Sequence, residues 1–238
     1  MRRAGWQGLA VILAAAGLFA SAAPIRPNQS NTRPLTHSGD QQSAPTKPRP
    51  RLFKAQDLGL LESPDRVEWQ KPEQIMDTLR IAESSVVADL GAGSGWFTIQ
   101  LARRVGPNGI VYAEDNQPQM VDYIEQRAQR ENLRSVRPIL GTATDPLLPP
   151  GVDAILIDDV FHELDDPVTF FRNASKSLKP GGRLGVVDFL PGGGGPGPAP
   201  EERPDPKAVI AAAEAAGLYL QKREDIPPFL FLLVFERR

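Results

Sequence analysis

The sequence predicts an α/β domain whose doubly wound, mostly parallel sheet is covered by helices on both faces, and three observations carry that expectation. Short β-branched apolar runs alternate with stretches of helical spacing from residue 85 onward. The first run, Val86 to Leu90, ends in a glycine-rich turn that leads straight into a helical pattern. The last two apolar runs lie too close together for a parallel crossover, which takes about a dozen residues or more, so they should pair as an antiparallel hairpin.

Two segments precede this pattern. Arg2 and Arg3, an apolar run from Leu9 to Ala20, and Ser21, Ala22 and Ala23 before Pro24 form an export signal over residues 1–23. The run is short against the roughly 20 residues that span a bilayer, yet an uncleaved anchor over residues 8–23 stays open. The expected location is therefore periplasmic or extracellular, with membrane attachment only if the segment is retained. Residues 24–51 read as a disordered spacer, because residues 24–50 hold six prolines among Ser, Thr, Gln and Asn with almost nothing to bury. The folded domain is expected over 52–238.

Composition excludes several classes of function. With no cysteine, thiolate metal sites, disulfides, cysteine nucleophiles and a lipid-anchored cysteine are all ruled out. Residues 1–54 carry eight Lys or Arg against Asp40 alone, which leaves 19 basic and 28 acidic residues in 55–238, a balance of −9. Phosphate backbones are bound by Lys and Arg that displace counterions, so nucleic acid is a disfavoured partner.

Element by element, Leu52 to Leu61 is amphipathic and a helix should open at Pro72, where proline suits the first turn. Then follow strand Val86 to Leu90, helix Trp96 to Val105, strand Ile110 to Ala113, helix Pro118 to Arg130, and strands Val136 to Leu140 and Val152 to Ile157. A helix from Pro167 to Leu178, capped by Asp165 or Asp166, leads to strand Arg183 to Phe189. The run from Pro191 to Pro198 is flexible by composition and is expected to act as a mobile lid. Helix Pro206 to Ala216, strand Leu218 to Arg223, a turn at Pro227-Pro228 and strand Phe229 to Phe235 complete the chain.

The residues that carry chemistry cluster at strand ends. In VADLGAGSG, residues 87–95, Gly91 suits the sharp turn, and Gly93 and Gly95 let the backbone pass close beneath a ligand. Asp89 at the strand end would repel a pyrophosphate and attract an ammonium group, and the glycines are spaced GxGxG rather than GxGxxG. A dinucleotide is thereby disfavoured. Glu114-Asp115 closes the next strand, where a carboxylate can accept hydrogen bonds from both hydroxyls of a ribose.

DLGAGSGWFTIQLA, VYAEDNQPQM and LKPGGRLGVVDF, in this order and at these spacings, resemble the class I S-adenosylmethionine-dependent methyltransferases over nearly all of residues 66–238. The resemblance implies a seven-stranded sheet of order 3-2-1-4-5-7-6 with the last strand antiparallel, and S-adenosylmethionine as cofactor. It implies that Asp89, Gly91, Gly93 and Gly95 line the methionine end and that Asp115 takes the ribose. Glu114 departs from the aliphatic residue usual there, and Thr142 stands where an acidic residue near the adenine is usual. Thr142 with Ala143, or else Asp145, is then expected at the adenine edge.

The acceptor should lie outside the carboxyl ends of the strands near the switch point, beside residues 157–164, IDDVFHEL. Asp158, Asp159, His162 and Glu163 are the candidate bases, with Asp158 also near the cofactor. His162 is preferred for its ordinary pKa near neutrality, against a purely structural role in holding the loop. Asp158-Asp159 is a pair of the kind that binds a divalent cation, but no third ligand is recognisable and no metal is expected. The expected activity is methyl transfer to a small molecule. The alternatives are an exported non-catalytic binding module and a nucleotide-dependent oxidoreductase.

Overall fold

The computed structural model describes residues 54, 58–59, 61–192 and 194–237. The export-signal and spacer readings fall outside the described residues. None of the helices in the described part is long and apolar enough to cross a membrane.

Two short helices, α1 (Arg66–Gln70) and α2 (Pro72–Thr78), lead into β1 (Val86–Leu90). There follow α3 (Trp96–Val105), β2 (Ile110–Asp115), α4 (Pro118–Arg130), β3 (Val136–Leu140) and β4 (Val152–Asp158). After a one-turn 3-10 helix, Phe161–Glu163, come α5 (Pro167–Ser175), β5 (Leu178–Phe189), α6 (Pro206–Ala215), β6 (Leu218–Ile226) and β7 (Leu230–Arg237). The strands form one sheet of order β3-β2-β1-β4-β5-β7-β6. β1 to β5 pair in parallel, and β7 runs antiparallel to both β5 and β6.

The order and the antiparallel hairpin are those expected, while some strand and helix ends differ. β5 begins five residues earlier than Arg183, because Leu178 already pairs with Val152 before a bulge. The preceding helix stops at Ser175, ahead of Leu178. β6 runs on to Ile226, since its pairing with β7 continues through Asp225–Phe231 and Ile226–Leu230.

Both faces of the sheet are buried, so its inner strands carry near-continuous apolar runs such as Ala154–Ile157 and Leu184–Val187 instead of alternating. In β7, Leu230, Leu232 and Val234 enter the core beneath α2, α3 and α4, and Phe231, Leu233 and Phe235 enter the core with α5 and α6. Helix ends are fixed locally: the Asp166 side chain accepts the Thr169 N–H at 3.0 Å and caps α5, and the Asp205 side chain accepts the Lys207 N–H at the start of α6.

The described part of the run after β5, expected to act as a mobile lid, is contacted by Arg203. The Arg203 guanidinium donates to the carbonyls of Pro198 (3.0 Å) and Pro196 (3.1 Å), reaches those of Leu190 and Gly194 at 3.4 Å, and lies 5.0 Å from the Phe189 ring centroid. A Cβ on Gly195 would stand 2.4 Å from Phe229, and one on Gly197 2.4 Å from Phe189, so these glycines serve close packing.

Candidate active site

Strand order reverses at β1 and β4, so the loops that follow them diverge and open a crevice at their carboxyl ends. One wall is the turn from β1 into α3. Gly91 has φ +68°, and a Cβ there would lie 2.5 Å from Val160 Cγ2, so only glycine fits beneath the loop after β4. Within the turn, Gly95 N–H donates to Ala92 O at 2.8 Å and Ala92 N–H to Glu114 O at 2.9 Å.

Three carboxylates face this wall with donors already in place. Asp89 is 2% exposed and accepts the Thr98 hydroxyl at 2.6 Å; burial pushes its carboxyl up to about 7 against that bond. Asp115 accepts Gly93 N–H at 3.0 Å and Gln117 N–H at 2.9 Å, and burial raises its carboxyl despite them. Asp158, at the end of β4, accepts Arg66 Nη2 at 2.9 Å and Gln70 Nε2 at 2.7 Å. Burial pushes Asp158 up to about 6, with Arg66 opposing. Arg66 is itself positioned by Leu61 O at 2.8 Å and by the Trp96 ring, whose centroid lies 4.3 Å away. The segment upstream of the first strand thus closes over Asp158.

Glu114 faces the other side of the sheet from Asp115, as strand alternation requires. Burial pushes it up to about 8, helped by the charge of Asp115. It fills the space at Gly141, where a Cβ would stand 1.9 Å from its Oε1. Thr142 and Ala143 are exposed on the rim after β3. The Thr142 hydroxyl accepts the Asp145 N–H at 2.9 Å and donates to Asp145 O at 3.1 Å, so the two expected adenine-edge residues share one turn.

The opposite wall is the segment after β4. Asp159 holds φ +58°, and its N–H donates to Val187 O at 2.9 Å. That backbone reversal sends the Asp159 side chain away from Asp158 and toward His162 and Asp188. His162 Nδ1 lies 3.8 Å from Asp159 Oδ1 and 4.0 Å from Asp188 Oδ2. Burial alone would lower the His162 pKa, but the charges of Asp188, Asp159 and Glu163 outweigh it and hold the imidazolium up to about 9. Held as an imidazolium near neutral pH, His162 must give up a proton before it can act as the expected base or as a ligand. Glu163, pushed up to about 7 by burial against the charge of His162, has the pKa that role requires. Asp188, next to the last residue of β5, is the residue the sequence did not reveal.

The residues fit the cofactor that the motifs imply. Among the described residues, Ser94 Oγ within the glycine turn and Trp69 Nε1 are buried without a hydrogen-bond partner, so polar atoms remain for a ligand. The fixed carboxylate of Asp115 suits a ribose diol, and the buried negative charge of Asp89 suits an ammonium or sulfonium.

Comparison with known proteins agrees. Residues 81–209 match the family described as methyltransferase domain. An uncharacterised methyltransferase of Mycobacterium tuberculosis is 37% identical over 118 residues, 49% of this chain and 44% of the relative. A demethylmenaquinone methyltransferase of Listeria monocytogenes is 27% identical over 123 residues, 51% of each chain. This chain therefore spans about half the length of these curated relatives. Among solved structures, a SAM-dependent methyltransferase from Aquifex aeolicus superimposes with a TM-score of 0.73 and 28% identity, covering 77% of this chain and 98% of that one.

Proposed function

This chain belongs to the methyltransferase domain family, its cofactor is S-adenosylmethionine, and we propose that it transfers the cofactor's methyl group to a small-molecule acceptor held in the crevice between β1 and β4. The observation that carries this reading is the wall formed by Asp89, the Gly91 to Gly95 turn and the anchored Asp115 carboxylate. When bound, S-adenosylmethionine supplies an electrophilic methyl group on a positive sulfonium, open to in-line displacement.

The chain's own residues orient and enclose. Asp115, fixed by Gly93 and Gln117, keeps lone pairs for the two ribose hydroxyls. Asp89 places negative charge at the methionine end, in a site dry enough to strengthen it. Arg66 and Gln70 hold Asp158 and close the crevice from the side of α1. Glu163 takes the proton of an acceptor that carries one. The −9 balance of residues 55–238 supports a small molecule over a nucleic acid.

Calorimetric titration of the full chain with S-adenosylhomocysteine tests the cofactor site. Asp115→Ala should weaken binding by about 100-fold, the loss of two hydrogen bonds to a charged acceptor. Folded wild-type protein that binds neither S-adenosylhomocysteine nor S-adenosylmethionine would overturn the proposal in favour of a non-catalytic module. The export reading of residues 1–23 adds that the enzyme acts outside the cytoplasm; fractionation that recovers the chain only from the cytoplasm would refute it.

A further inference from the structure

We propose that Asp159, His162 and Asp188 form a divalent-cation site at the carboxyl ends of β4 and β5. Asp188 is 0% exposed; its Oδ1 accepts the Phe189 N–H at 2.8 Å, while Oδ2 is buried with no hydrogen-bond partner among the described residues. Asp159 Oδ1 and His162 Nδ1 are buried and without a partner in the same way. Three polar atoms from three residues are thus withdrawn from water and aimed at a common point.

The spacing fits an ion better than a direct hydrogen bond. His162 Nδ1 is 3.8 Å from Asp159 Oδ1 and 4.0 Å from Asp188 Oδ2, both beyond hydrogen-bonding range. One ligand atom from each residue lies within 4.8 Å of the other two. A point equidistant from atoms spaced 3.8 to 4.8 Å apart lies about 2.2–2.8 Å from each, against metal–oxygen distances of about 2.0–2.6 Å. A small inward rotation of the side chains closes that gap. Water leaves the pair of buried carboxylates to the single charge of a protonated His162, whereas a divalent cation that displaces the His162 proton neutralises both.

The donor set, two carboxylates and one imidazole, suits Mn2+, Mg2+ or Zn2+. The Asp159 and His162 side chains are 24% and 18% exposed, so an ion reaches the site from solvent and keeps coordination positions open. Asp158 takes no part, since Arg66 and Gln70 occupy its oxygens on the other face. The site rests on side-chain geometry and not on the methyl-transfer reading.

The experiment is titration of the full chain, stripped with EDTA and desalted, with MnCl2, following free Mn2+ by electron paramagnetic resonance. MgCl2 and ZnCl2 are titrated by calorimetry. One ion per chain is expected, with a thermal midpoint that rises on its addition. Asp188→Asn and Asp159→Asn should each weaken binding at least about tenfold and abolish the thermal shift. His162→Gln, at a side chain more exposed than Asp188, gives the same answer should either Asn variant fail to fold. S-adenosylhomocysteine binding, measured on the same samples, separates loss of the cation site from loss of the cofactor site. Absence of saturable binding of all three ions below about 1 mM, or undiminished binding in folded Asp188→Asn, would overturn the proposal.

Discussion

Across the crevice between β1 and β4, buried carboxylates are treated in two different ways. Asp89, Asp115 and Asp158 each receive a donor from the fold itself: a hydroxyl, two backbone N–H groups, and a guanidinium with an amide. Asp159 and Asp188 instead face His162 at 3.8 and 4.0 Å with oxygens left unpartnered. Desolvation is costly on both sides. On the first it is offset by close donors as the chain folds; on the second His162 offsets it across a wider gap.

The largest effect should come from making the first side resemble the second. Arg66→Ala strands Asp158, whose side chain is 6% exposed, and should destabilise the protein by about 3–5 kcal/mol in urea denaturation. A loss below about 1 kcal/mol would mean that solvent reaches Asp158 and that the two sides are alike. Next, Gly91→Ala should cost about 2–4 kcal/mol, because the new Cβ meets Val160 at 2.5 Å and the residue must keep φ +68°.

Glu114 provides a smaller test, and a pH-dependent one. Its folded pKa, about 8, lies above its ordinary value of 4.5, so unfolding between those pH values releases a proton and stability falls as pH rises through the window. Glu114→Gln removes a slope of up to about 1.4 kcal/mol per pH unit. The variant should therefore gain on the wild type from pH 5 to 7.5, measured in urea, and parallel curves would show Glu114 ionised throughout. The smallest effect belongs to the second side: Asp188→Asn, with its Oδ1 still able to accept the Phe189 N–H, should change the stability of EDTA-treated protein by less than about 1 kcal/mol near pH 10, above the raised His162 pKa. A larger loss would show that Asp188 is already paired and would erase the contrast.

The sequence made one side far more legible than the other. Strand-to-helix alternation and the turn from Asp89 to Gly95 are local patterns, so the parallel architecture could be read from spacing, and the strand order and cofactor wall from the family resemblance. Asp158 and Asp159 are consecutive, and in an extended strand they would face opposite sides; the positive φ of Asp159, which aims it, has no signature in residue type. Asp188 stands in an apolar run, GVVDF, about 30 residues beyond Asp159, and reaches it only because β5 pairs with β4. Arg66 and Gln70 reach Asp158 across 92 and 88 residues of sequence, a separation that no local pattern signals. The raised pKa of His162 has a related origin: a residue type fixes the ordinary value, and only the fold brings two carboxylates to within 4.0 Å.

Arg203 has a consequence for how this chain can vary. Its hydrogen bonds to Leu190, Gly194, Pro196 and Pro198 go to carbonyl oxygens, which every amino acid supplies. Apart from Gly195 and Gly197, where aromatic rings leave no room for a side chain, the composition of that loop is thus largely decoupled from its path. Residues bordering the crevice can be exchanged for different acceptors while a single guanidinium preserves the loop's course, and replacing that guanidinium releases the whole segment at once.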